Sequence, residues 1–200
     1  MMWSPPLNED FQPAIDPQQK CVDIIVPVFK NIALTSRCIE SLASHLREIA
    51  HCSPRMILVN DSPGEPDVRE LLNEFSARHP NVVVLESDRN RGFVASANQG
   101  LRMALESGRD AILVNSDTQT FDGTLGNLIE AAYSDAQIGF ASPRTNNAAL
   151  CSLPHFAHTL AVSPEVAYQQ WKAVSRTLPR LHFAPTAVGY YLFIKYGVLA

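Results

Sequence analysis

Val22-Asp23-Ile24-Ile25-Val26-Pro27-Val28-Phe29 is the stretch on which the fold turns. It is a short apolar run rich in β-branched residues, and it reads as a strand buried in a parallel sheet. Toward the N-terminus the pattern stops at once. Residues 1–20 hold four prolines among Gln, Asn and Asp, with no apolar periodicity, and are expected to form a flexible tail in which Trp3 and Phe11 make loose packing contacts. Residues 21–200 are then a single domain.

Toward the C-terminus, strand and helix signals alternate. Asn31 can cap a helix running to about Ala50, with Ile32, Ile39, Leu42, Leu46 and Ile49 as its buried stripe. Met56–Val59 is a second strand and Val82–Leu85 a third, separated by a helix from Pro66 to His79. Phe93–Glu106 reads as helix, Ala111–Val114 as strand, Leu125–Tyr133 as helix and Ile138–Ala141 as a fifth strand. Such alternation predicts βαβ units, an α/β fold with a mainly parallel central sheet and helices on both faces. Past Pro143 it breaks down: residues 144–163 are irregular, Pro164 to about Arg176 is helical, and Phe183–Lys195 contains a strand.

Composition narrows the function. A formal charge of -4 gives no basic face for nucleic acid. An acidic chain that takes a phosphate-bearing ligand must neutralise it locally, with a metal, a helix N-terminus or a few arginines. Cys21, Cys38, Cys52 and Cys151 have no metal-ligand spacing and read as reduced thiols. The chain has no secretory signal pattern and no apolar run near the ~18 residues of a membrane span. The expectation is a cytoplasmic protein, with at most peripheral contact at the inner membrane. The six histidines are scattered and are assigned to surface or packing.

In an open α/β sheet, ligands bind beyond the carboxyl ends of the strands. The polar clusters fall there: Phe29-Lys30-Asn31, Asn60-Asp61-Ser62, Ser87 to Gly92, and Asn115-Ser116-Asp117-Thr118. Asn, Asp and Ser also serve turns, but four clusters on one edge point to a polar site for a small ligand.

Ile24–Phe29, Val59-Asn60-Asp61-Ser62, Asn90-Arg91-Gly92-Phe93 with Ala97-Asn98, and Asn115-Ser116-Asp117-Thr118 resemble, in order and spacing, the motifs of family 2 glycosyltransferases with the GT-A fold. The resemblance covers about residues 22–195. It implies a nucleoside-diphosphate sugar donor, a glycan or lipid-linked saccharide acceptor, and a divalent cation, Mg²⁺ or Mn²⁺. Pro27, Val28 and Phe29 would wall the nucleoside. Asp61, with Asn60 beside it, would accept from the base N3–H, or else stabilise its turn. Asn90 and Gly92 precede a helix whose unpaired N–H groups would face the diphosphate. Arg89 and Arg91 would add charge or be solvated, and Asn98 would touch ligand or be a buried amide. Asp117 stands where the family's Asp-x-Asp motif holds its metal, and Asn115 departs from that motif. The Asn-x-Asp-Thr form is similar to the bacterial rhamnosyltransferase branch, implying a deoxythymidine-diphosphate sugar. Tyr190 and Tyr191 follow Gly189 as in the family's acceptor-side strand, or are strand core.

An inverting transfer needs a base for the acceptor hydroxyl. In the family it lies in an acidic motif beyond the strand matched here by Val188–Lys195. After Asp135 the chain's one acidic residue is Glu165, outside any matching motif. No catalytic base is therefore assigned. The expectation is a C-terminally truncated sequence that binds donor without efficient transfer, the alternative being a non-catalytic nucleotide-sugar-binding module. A receiver domain would need an acidic pair where Lys30-Asn31 stand, and a sugar nucleotidyltransferase a glycine-rich basic loop after the first strand.

Overall fold

The computed structural model describes residues 20–146, 151, 162–179, 181–184 and 186–200. The expected tail lies almost wholly outside the described residues, as does much of the stretch 144–163.

The opening stretch forms β1, Val22–Val28, buried at every position. Its neighbours are β2, Arg55–Asn60, and β4, Asp110–Val114, both parallel to it, with Ile24 level with Met56 on one side and Ile112 on the other. β3, Val82–Glu86, continues the parallel set beyond β2. The continuous apolar run is explained by what covers each side. Val22, Ile24, Val26 and Val28 enter one core cluster with Ile39, Leu42, Phe75 and Leu128, from α1 (Ile32–His45), α2 (Pro66–Arg78) and α4 (Thr124–Tyr133). Ile25 points the other way, into a cluster with Ile57, Val59, Ala97 and Ala104, the alanines coming from α3 (Phe93–Glu106). A strand covered on both faces has no polar side to show.

Among the described residues the sheet has six strands in the order β3-β2-β1-β4-β6-β5. β6, Tyr191–Ile194, runs antiparallel to β4, and the two-residue β5, Phe140–Ala141, pairs antiparallel with β6. The sheet is mixed but mainly parallel. Helix α5, Pro164–Val174, runs into a 3-10 turn at Ser175–Thr177, and the short α6, Tyr196–Leu199, follows β6.

Two helix details depart from expectation. α1 ends at His45, because Ile49 leaves helical geometry (φ -122°) and Leu46–Cys52 tightens into 3-10 turns. Ile39, Leu42 and Ile49 are buried as the stripe predicts, but Ile32, the first residue of α1, is 39% exposed. The fifth strand starts at Phe140 rather than Ile138.

At the amino ends of the strands sits a buried ion triad. Asp23, fully buried, accepts from Arg55 Nη2 at 2.5 Å and Arg109 Nε at 2.6 Å. Arg109 also donates to the carbonyls of Val22 and Ser53. All polar partners of this charge are therefore internal, which is what a carboxylate out of water requires.

Candidate active site

The strand order reverses between β1 and β4, and the crevice at their carboxyl ends is where such sheets bind ligands. A cavity of about 390 Å³ lies there. One wall is Pro27, Val28 and Phe29 at the end of β1. Asp61, after β2, and Asn90 and Gly92, before α3, form a second side, and Asn115, Ser116 and Asp117, after β4, a third. Eight of the nine residues expected from the sequence thus come together. The ninth, Asn60, does not: it is fully buried, donating to Glu86 Oε2 at 3.0 Å and accepting from the N–H of Ser62 at 2.9 Å. Its side chain shapes the turn instead of reaching the cavity.

Asn31, Leu34, Phe93 and Ser96 also line the cavity. Asn31 belongs to a polar cluster expected at this edge, but Leu34, Phe93 and Ser96 were missed, although a signal existed. Each lies on the first turn of a helix that starts at the crevice, and Phe93 and Ser96 are spaced by three and share a face. Backbone strain is concentrated at the same place. Lys30 and Asn31 are both left-handed, at φ 54° and 40°. Ser62 Oγ steadies the turn by accepting the Lys30 N–H at 2.8 Å, and Asn31 caps α1 by accepting from Leu34.

Asp61 is 2% exposed, and both carboxylate oxygens are occupied. The Arg91 N–H donates to Oδ1 at 2.7 Å and the Gly92 N–H to Oδ2 at 2.8 Å. The two N–H groups just before α3 are thus taken by an internal carboxylate. Arg91 turns its guanidinium to Asp88 at 2.7 Å, and that partner holds the Asp88 carboxyl below its usual range. Neither Arg89 nor Arg91 is in the lining, and Asn98 is exposed outside it.

Asp117 is exposed at the cavity. Asn115 is half-buried, and its side-chain oxygen is out of water without a hydrogen-bond partner. The backbone beneath is fixed. The Asn115 N–H donates to the Tyr190 carbonyl at 2.9 Å, and the Asn115 carbonyl accepts from Thr118 Oγ1 at 2.8 Å and from the Cys38 thiol at 3.5 Å. Burial, with a smaller contribution from the Asp117 charge, pushes the Cys38 thiol up to about 12. Tyr191 is core, its hydroxyl 3.3 Å from that of Thr120, and Tyr190 donates to the Pro143 carbonyl.

The lining carries two carboxylates and no Lys or Arg among the described residues. Oxygen donors without a cation suit a hard divalent ion such as Mg²⁺ or Mn²⁺, and the exposed Asp117, in a described lining with no basic side chain, fits one. A second group, His45, Glu48 and Asp122, brings ligand atoms within 4.8 Å of one another away from this lining. Glu48 there already has a structural task, accepting from the N–H groups of Gly123 and Gly126 at the start of α4.

The family model described as Glycosyl transferase family 2 matches residues 23–156. No curated protein matches the chain in sequence. Among solved structures, a mannosyltransferase from Pyrobaculum calidifontis in complex with GDP-Man and Mn²⁺ aligns at TM-score 0.60 and 18% identity, over 93% of this chain and 47% of that one. GalNAc-T7 with UDP, GalNAc and Mn²⁺ aligns at TM-score 0.49 and 15% identity, over 57% of this chain and 21% of that one. The chain spans about half the length of the mannosyltransferase. At such identity the likeness speaks for the fold alone, which is of the GT-A kind. The family match runs from β1 past β5 and takes in the strand ends that build the cavity, so this chain belongs to glycosyl transferase family 2.

Proposed function

We propose that the chain forms the donor-binding part of an inverting, metal-dependent glycosyltransferase. In this reading it takes a nucleoside-diphosphate sugar and serves transfer to a glycan or lipid-linked saccharide, in bacterial-type surface-polysaccharide synthesis. The observation that carries the reading is the cavity itself: an apolar wall at Pro27–Phe29 facing polar strand ends, with two carboxylates and no basic side chain in its described lining. The wall suits a nucleoside, and Asp61, Asn90 and Gly92 close that side. A diphosphate could not sit against two carboxylates uncompensated. Asp117 therefore holds a divalent cation, with Asn115 accepting from the donor's ribose or sugar. When bound, the cation supplies charge neutralisation of the diphosphate. Support for a deoxythymidine-diphosphate sugar comes from the Asn-x-Asp-Thr form of residues 115–118.

The acceptor's proton is taken, in this reading, by a group outside the cavity lining. Asp61 is engaged by backbone N–H groups, and Asp117 is given to the metal. What the chain's own residues supply is donor binding and orientation. Calorimetric titration with the diphosphates of thymidine, uridine and guanosine, each in Mn²⁺ and in EDTA, tests this. Binding in Mn²⁺ that is lost in EDTA is expected. Equal affinity in EDTA would remove the metal, and no binding in either condition would remove the donor reading itself.

A further inference from the structure

Asp61 has the geometry of an internal anion. It reaches from the end of β2 to the turn before α3, and each carboxylate oxygen receives one backbone N–H of that turn. Gly92, the pivot, stands at φ +79°, a conformation that costs other residues strain, and nothing lies within 4 Å of where a Cβ would be. The Gly92 N–H is shared with the Asn90 side chain at 3.0 Å. Beyond the pivot, the Ser96 N–H and hydroxyl both return to the Gly92 carbonyl. Asn90, Gly92, Phe93 and Ser96, which all line the cavity, thus share one anchorage, and the Asp61 carboxylate is the acceptor it is built on.

We infer that Asp61 is a positioning residue, whose carboxylate holds the Arg91–Gly92 turn so that the cavity wall before α3 is preformed for the donor. The inference rests on the donor-binding reading and deepens it. Bonds from N–H to carboxylate are about twice as strong as neutral ones. Two of them, buried, make the turn rigid before any ligand arrives, and a preformed site binds more tightly than one ordered on binding. The wall touches the ligand whatever its base, so losing the anchorage weakens every nucleoside diphosphate alike. Direct reading of the base by Asp61 would instead show as lost selectivity.

The test uses the whole chain and four variants, Asp61→Asn, Gly92→Ala, their combination, and Glu48→Gln as a control that acts on α4 outside the cavity. Affinities for the diphosphates of uridine, thymidine and guanosine are measured in Mn²⁺, well below each melting temperature and corrected for the folded fraction. Asp61→Asn should weaken all three by roughly ten- to a hundredfold, with the ratios among them held within about twofold. Gly92→Ala, which disturbs the same turn from its other side, should do the same, and the double variant should be little worse than either. Glu48→Gln should lower the melting temperature and leave affinity unchanged. Collapse of the ratios in Asp61→Asn alone, or strict additivity in the double variant, would overturn the inference. Should the wild type bind no nucleotide, the donor reading falls and hydrogen exchange still decides on the anchorage. Arg91 and Gly92 amides slow in wild type and fast in Asp61→Asn support it, and fast exchange in both refutes it.

Discussion

Asp117 and Asp61 differ in what surrounds them, and that difference predicts their behaviour. Asp117 is exposed, while Asp61 is sealed against two amides. Asp117→Ala should therefore remove the Mn²⁺-dependent part of nucleotide affinity, roughly tenfold or more, and leave the melting temperature within about 2 °C. Calorimetry and a thermal scan on the same preparation check both halves. The thiols make a prediction of opposite character. Burial raises Cys38 from 9.0 to about 12 and Cys52 to about 11, so the folded state favours their neutral forms. The stability this contributes is whole below pH 9 and is lost as pH climbs from 9 toward 11–12. Urea midpoints should fall across that interval, and at pH 8 iodoacetamide should spare Cys38 and Cys52 until the protein unfolds. Residue identity alone could not separate Asn60 from Asp61. They are adjacent on a strand's end, and alternation sends one side chain inward to Glu86 and the other toward α3.

At the scale of elements, α3 lies so close on β1 that a Cβ at Gly100 would collide with the Ile25 side chain. Alanine would gain about 1 kcal/mol in helix propensity, yet overpacking a core typically costs 1–3 kcal/mol. Gly100→Ala should be net destabilising, and denaturant unfolding would show it. α4 depends on a neighbour for its start, because Glu48 from the 3-10 segment accepts from Gly123 and Gly126 where no local side chain caps the helix. Glu48→Ala should cost about 1 kcal/mol, at the level of a lost N-cap. The four parallel strands and α1 to α4 were legible because each apolar run or stripe is local in sequence. The direction of β6 was not. Its four residues read as a strand, but its place between β4 and β5, antiparallel to both, is set by partners about 50 to 80 positions away. The early end of α1 was also hidden, since Leu46 and Ile49 keep the helical spacing while the backbone tightens beneath them.

Taken whole, the molecule separates what holds it from what it binds. The Asp23–Arg55–Arg109 triad lies at the amino ends of the strands, and the cavity at their carboxyl ends. Asp23→Ala would leave two arginines at a buried site without their anion, a loss of about 3–5 kcal/mol. Nucleotide affinity of the molecules still folded should not change. A melting curve paired with calorimetry at low temperature would show whether the two ends are as independent as they look. The inserted strand carries one more consequence, for synthesis on the ribosome. β4 has its β1 side paired early, but its other side waits for β6, some 80 residues later in the chain, and β5 has β6 as its partner. At about 5–20 residues per second, the nascent sheet holds an open apolar edge for on the order of ten seconds. During that time a ribosome-associated chaperone, or a neighbouring nascent chain, competes for the place that β6 will take.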